Sequence, residues 1–154
     1  MPALPAGVGG LLLGKGRTRD NGGVDSVRVL IVDDQAPFLA ALRAVVARLS
    51  EFTLVGEATS GEQAVELAAA TSPDLVLMDI NMGGIDGLEA TSQIVRARPE
   101  TLVVLVSTYT LEELPPHARS CGAVAYINKD ELSPRAVRRI WADGGDDSWR
   151  RVAG

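Results

Sequence analysis

Pro73-Asp74-Leu75-Val76-Leu77-Met78-Asp79-Ile80-Asn81-Met82-Gly83-Gly84-Ile85-Asp86-Gly87 carries the strongest structural signal in the chain. It opens with a short, wholly apolar run bounded by turn residues, the pattern of a strand covered on both faces inside a parallel sheet. The run delivers one carboxylate, Asp79, into a glycine-rich turn, after which a helical pattern begins. Open α/β sheets bind their ligands beyond the carboxyl ends of their strands, so a carboxylate in that place is a candidate functional group.

The same unit recurs on either side. Val27–Val32 is an apolar strand ending in Asp33-Asp34, and Pro37 suits the first turn of the helix that follows. Phe38, Leu39, Leu42, Val45, Val46 and Leu49 return at helical spacing. Thr53–Ala58 is a second strand, and its internal Gly56 favours an edge position. Ser60 and Gln63 have capping-box spacing for a second helix, which Ser72-Pro73 stops. A third helix follows Asp86-Gly87 and ends at Arg98-Pro99.

Leu102–Val106 is a fourth strand closing on Ser107, and Val124–Asn128 a fifth, followed by Lys129. Between them a fourth helix is expected to start near Pro115 or to be broken there, because proline inside a helix costs about 3 kcal/mol or more. Ser133-Pro134 caps and starts a fifth helix. Alternating strands and helices predict an α/β domain, a doubly wound five-stranded parallel sheet with helices on both faces and right-handed crossovers. Residues 1–25, rich in glycine, read as a flexible extension, 26–142 as the folded domain and 143–154 as a loose tail.

Composition supports this frame. The chain has 154 residues, 46% hydrophobic and 23% charged, enough for one domain with a full core. A net charge of −5 argues against direct grip on nucleic acid, which needs a basic footprint. A single cysteine, Cys121, allows no internal disulfide and reads as a packed, inert residue; with one histidine there is no Cys/His metal spacing. The apolar runs are far shorter than the roughly 20 residues of a membrane span. A cytoplasmic protein is expected.

Asp33, Asp34, Asp79, Ser107 and Lys129 each stand just beyond the apolar run of a strand, hence on one rim of a parallel sheet. Three carboxylates gathered there repel one another, and a hard cation such as Mg²⁺ relieves the repulsion. Such a carboxylate can attack a phosphoryl donor and form an aspartyl phosphate. Lys129 offers a point charge to a phosphoryl oxygen, Ser107 a hydroxyl donor, and the turn after Asp79 its backbone N–H groups.

At this level the sequence resembles the receiver domain of two-component response regulators over about residues 26–142. The resemblance is carried by Val-Leu-Ile-Val-Asp33-Asp34, by Pro-Asp-Leu-Val-Leu-Met-Asp79-Ile-Asn-Met, by Val-Leu-Val-Ser107 and by Gly122-Ala-Val-Ala-Tyr126-Ile-Asn-Lys129. It implies a flavodoxin-like strand order 2-1-3-4-5 and phosphorylation of Asp79 by a histidine kinase or phosphotransfer protein. It also implies Mg²⁺ held by Asp34, Asp79 and the backbone carbonyl of Asn81, with Asp33 acting through water. Ser107 would move toward the phosphoryl group and Tyr126 turn inward behind it. The output would be a downstream protein partner or a self-dimer, with slow self-hydrolysis as the sole turnover. Asn81 and Tyr109 would border the path of the attacking water.

Three departures stand out: Gly83 and Asp130 occupy positions where relatives often have proline, and Pro115-Pro116 falls in the helix that relatives use for partners. A second reading is the receiver part of a DNA-binding transcriptional regulator whose helix-turn-helix lies outside this sequence. A phosphatase with an aspartyl intermediate is disfavoured by Asn81, where such sites carry a second acid.

Overall fold

The computed structural model describes residues 26–149. The expected extension, 1–25, and the end of the expected tail, 150–154, lie outside the described residues. Five strands form one parallel sheet: β1 (Val27–Val32), β2 (Phe52–Ala58), β3 (Leu75–Met78), β4 (Leu102–Ser107) and β5 (Ala125–Asn128), in the order β2-β1-β3-β4-β5. The α-helices are α1 (Ala36–Ala47), α2 (Gly61–Thr71), α3 (Gly87–Ala97) and α4 (Pro134–Asp143).

The apolar runs are continuous because alternate residues of each central strand point to opposite faces, and both faces are covered. Val29, Ile31, Leu75, Leu77, Val104 and Val106 belong to the core with α1 and α4. Leu30, Val32, Val76, Met78, Val103 and Leu105 belong to the core with α2 and α3. Among the described residues β2 lies at the edge of the sheet, as Gly56 suggests, and the β1–β2 register slips between Val29 and Leu30.

Local signals act as the sequence implies, with one shift. The Ser60 side chain accepts from the Gln63 N–H at 3.1 Å, but the Gln63 side chain reaches past the cap to the Thr59 N–H at 2.7 Å. Asp86 and Ser133 cap α3 and α4 by accepting from the Glu89 and Ala136 N–H groups.

The expected fourth helix is broken rather than shifted. Two short 3-10 turns, Leu111–Glu113 and Pro116–Ser120, take its place. Thr110 and Glu113 close a capping box on the first turn. Pro115 then stands in an extended conformation, because the residue before a proline avoids the helical region. Gly122, at φ +107°, ends the segment.

The expected loose tail is corrected over its described part. Gly144 and Gly145 adopt positive φ and reverse the chain after α4, and Trp149 is buried in the α2/α3-side core. A tryptophan read as part of a charged tail is thus a core residue. Cys121 is buried as expected, its thiol donating to the Ala118 carbonyl.

Candidate phosphoryl-acceptor and metal site

The rim beyond β1, β3 and β5 gathers three carboxylates and one ammonium. Asp33 follows β1 directly; its N–H donates to the Ala58 carbonyl, and its Oδ1 accepts from the Gln35 N–H at 2.9 Å. Asp79 follows β3, its N–H donating to the Val32 carbonyl at 3.0 Å. Lys129 starts a 3-10 turn, Lys129–Glu131, whose first residues are fixed by the Asn128 side chain accepting from the Asp130 N–H. The peptide bond into Asp130 is trans.

The Lys129 ammonium lies 2.8 Å from Asp33 Oδ2 and 3.5 Å from Asp79 Oδ1. All three side chains are almost fully buried, at 6%, 0% and 7% exposure. Nζ also sits 3.8 Å from the centroid of the Phe38 ring, so the ammonium has carboxylates on one side and an aromatic face on another. Phe38 was legible as part of the apolar face of α1; its place over Lys129 was not.

One oxygen from each of Asp33, Asp34 and Asp79 lies within 4.8 Å of the others. An octahedral Mg²⁺ binds oxygen at about 2.0–2.1 Å, so direct ligands stand at most about 4 Å apart, and a spacing of up to 4.8 Å suits a cation that reaches one of the three carboxylates through a water. Asp33 Oδ2, fully buried, has the Lys129 ammonium beside it but no directed hydrogen bond, so it retains acceptor capacity. Asp34 is exposed and leaves the group open to solvent.

Burial, and secondarily the charge of Asp33, push the Asp79 carboxyl up to about 6, with Lys129 pulling the other way. The folded chain therefore binds more protons than the unfolded chain between about pH 4 and 6. Without metal, this group's contribution to stability falls as pH rises through that window, by on the order of 2–3 kcal/mol. We expect that fall in urea melts in EDTA from pH 4.5 to 7.5, measured as the difference between wild type and Asp79→Asn, and expect saturating Mg²⁺ to remove most of it. An unchanged difference across the window contradicts the assignment.

Ser107 anchors a second cluster. Its Oγ accepts from the Tyr109 N–H at 3.3 Å, and its carbonyl accepts from the Tyr126 hydroxyl at 3.0 Å. The Tyr109 carbonyl accepts from the Tyr126 hydroxyl and from Asn128 Nδ2. Asn81, just past Asp79, pairs through its amide with the Tyr109 hydroxyl, Nδ2 at 2.8 Å and Oδ1 at 3.2 Å. Tyr126 is half-buried, and burial pushes its hydroxyl up to about 12, so it stays a hydrogen-bond donor.

The glycine-rich turn is tied to α2: Glu62 Oε2 accepts from the Ile85 N–H at 3.1 Å. That N–H is therefore engaged by protein. Gly83 has open space where a side chain would stand, so the turn makes no steric demand for glycine there. Gly87 is different. A Cβ there would overlap the Asp79 carbonyl oxygen and stand 2.8 Å from the carbonyl carbon, and the Gly87 N–H donates to the Ile80 carbonyl at 2.7 Å. The start of α3 thus lies directly on the backbone that carries Asp79.

Residues 29–140 match the response regulator receiver domain family. The chain belongs to that family. Its similar proteins include the uncharacterized transcriptional regulatory protein YxjL of Bacillus subtilis (strain 168), 36% identical over 118 residues, covering 77% of this chain and 54% of that protein. The response regulator GacA of Pseudomonas aeruginosa is 34% identical over 119 residues, covering 75% and 56%. This receiver chain thus spans about half the length of the curated relatives it matches. Among solved structures, the response regulator domain of Thermotoga maritima CheB superposes with a TM-score of 0.63 at 32% identity, covering 83% of this chain and 96% of that one. A chain of the CheX–CheY–BeF3–Mg²⁺ complex from Borrelia burgdorferi gives 0.70 at 25%, covering 81% and 93%. The strand order 2-1-3-4-5 read from the resemblance is the order observed. No helix among the described residues is long and apolar enough to cross a membrane.

Proposed function

We propose that this receiver accepts a phosphoryl group on Asp79, from a histidine kinase or phosphotransfer protein, in a Mg²⁺-dependent step. The observation that carries the reading is the buried pairing of Asp79 and Asp33 with Lys129 beside the exposed Asp34. Asp34, Asp79 and the Asn81 backbone carbonyl would hold the cation directly, with Asp33 through water. When bound, Mg²⁺ offsets the carboxylate repulsion and the charge of the incoming phosphoryl group.

The chain's own residues do the rest. An Asp79 carboxylate oxygen attacks phosphorus while the bond to the donor's leaving group breaks, the leaving group departing with the electron pair. Lys129 supplies positive charge to a phosphoryl oxygen, and Phe38 fixes the ammonium that does so. Ser107 donates its hydroxyl to another phosphoryl oxygen, and Tyr126, bonded to the Ser107 carbonyl, carries the change to the β4–β5 edge. The Asn81–Tyr109 pair borders the approach of the hydrolysing water. The output is a surface for a protein partner or for a second copy of the chain.

Incubation of the full chain with Mg²⁺ and a small labelled phosphodonor tests this. Wild type takes up label and Asp79→Asn does not; equal label on both sinks the proposal. A second reading is favoured by the names of the relatives: the receiver of a transcriptional regulator whose DNA-binding part lies outside this sequence. A helix-turn-helix encoded directly downstream in the gene supports it, and a stop codon there excludes it.

A further inference from the structure

Trp149 closes a network that begins at the rim. Its ring stacks on Tyr126, centroids 6.1 Å apart and planes 26° from parallel. The Arg119 guanidinium lies 4.3 Å from the Trp149 ring centroid, and its Nη1 donates to the Trp149 carbonyl at 3.4 Å. The indole Nε1 donates to the Ala123 carbonyl at 3.2 Å.

The backbone is built to deliver this ring. After the Gly144–Gly145 reversal, the Asp146 N–H donates to the Val124 carbonyl at 2.9 Å, tying the segment to the start of β5. The Asp146 carboxylate then accepts from the Ser148 and Trp149 N–H groups, closing a turn. At 4% exposure, Trp149 is as buried as the core of the sheet. Tyr126 is thereby held between Trp149 on one side and the Ser107 and Tyr109 carbonyls, which its hydroxyl reaches, on the other.

We propose that residues 144–149 form a latch that holds Tyr126 with its hydroxyl on the Ser107 and Tyr109 carbonyls, and that the latch and the Asp79 site are thermodynamically coupled. With Trp149 seated, the Tyr126 hydroxyl fixes the end of β4 with Ser107 at the rim, the arrangement that receives a phosphoryl group. A ligand at Asp79 tightens the latch, and loss of the latch weakens the ligand by the same factor, because coupling between two sites is reciprocal. This rests on Asp79 being the phosphoryl site; the latch adds a second element that sets how readily that site is filled.

The test is the affinity of the full chain for trifluoroberyllate in the presence of Mg²⁺, read by ¹⁹F NMR, which does not depend on tryptophan as a reporter. Trp149→Ala raises the half-saturating concentration about fivefold or more. Trp149→Phe, which keeps an aromatic face, and Arg119→Gln, which loosens the seat from outside, give smaller shifts in the same direction. In a Tyr126→Ala background, Trp149→Ala adds nothing, since the connection is already cut. Circular dichroism reports whether each variant is folded, and Arg119→Gln carries the test if Trp149→Ala is not. Equal or tighter binding by the folded latch variants overturns the latch and leaves the Asp79 reading intact. Absence of trifluoroberyllate binding by wild type removes the Asp79 reading and the latch with it.

Discussion

Gly87→Ala lowers the unfolding free energy by about 3 kcal/mol or more, at the upper end of what overpacking a well-packed site costs. The cause is steric and local. The added methyl would overlap the Asp79 carbonyl oxygen, with the Asp79 carbonyl carbon and Ile80 Cα just behind it. The obstruction is backbone on both sides, so no side-chain rotation relieves it. Either α3 moves away, losing the Gly87–Ile80 hydrogen bond and the burial of Leu88 and Ile94, or the end of β3 shifts and carries Asp79 with it. The first response appears as a loss of stability in thermal or urea melts, the second as weakened Mg²⁺ binding. A drop in melting temperature on the order of 10 °C is expected. A variant with wild-type stability and metal affinity contradicts the close approach.

Lys129→Met lowers metal-free stability at pH 7.5 by about 3 kcal/mol, because removing one partner of a buried ion pair leaves the other charge uncompensated. Asp33 Oδ2 loses its nearest cation, and Asp79 loses the ammonium that draws its proton affinity down by charge. The methionine conserves the length and apolar character of the stem against Phe38, so the loss reports charge rather than a cavity. Saturating Mg²⁺ recovers most of the stability, since a cation again stands among the carboxylates. It does not recover the rate: phosphoryl uptake stays slower by about a hundredfold, the size of effect seen when one transition-state donor is removed. Urea melts with and without Mg²⁺, paired with uptake rates, separate the two roles. A variant equally unstable with and without Mg²⁺ would assign Lys129 a purely structural part.

Most of what positions the rim was legible in the chain itself. Strand ends are set by where apolar runs stop, so Asp33, Asp34, Asp79, Ser107 and Lys129 were placed on one edge by counting residues. Helix starts were legible at Ser60 and Ser133, read as caps, and at the Asp86-Gly87 turn, where the Asp86 side chain proves to accept from the Glu89 N–H. The contacts that were missed depend on elements meeting in space. Phe38 reads as one more apolar residue of α1, and only the return of β5 brings Lys129 over its ring. Gly87 reads as half of an Asp-Gly turn, and its demand for glycine arises from the backbone of a different strand. Trp149 follows a glycine pair and two aspartates, a composition typical of a tail; the left-handed Gly144 and Gly145 turn that same pair into the reversal that buries the ring. The break at Pro115-Pro116 was visible, but its replacement by two short turns was not. It follows from Thr110 and Glu113 closing a cap too near the prolines for an α-helix to grow.

A cation held among three rim carboxylates is what makes residue 79 reactive toward phosphorus in the mechanism proposed above. The most direct measurement is the intact mass of the wild-type chain after exposure to a small phosphodonor, in Mg²⁺ and in EDTA, with borohydride trapping to locate any acyl phosphate. One phosphoryl group in Mg²⁺, trapped at Asp79, and none in EDTA is the expected result. A phosphoryl group at another residue, or equal uptake without the metal, contradicts it.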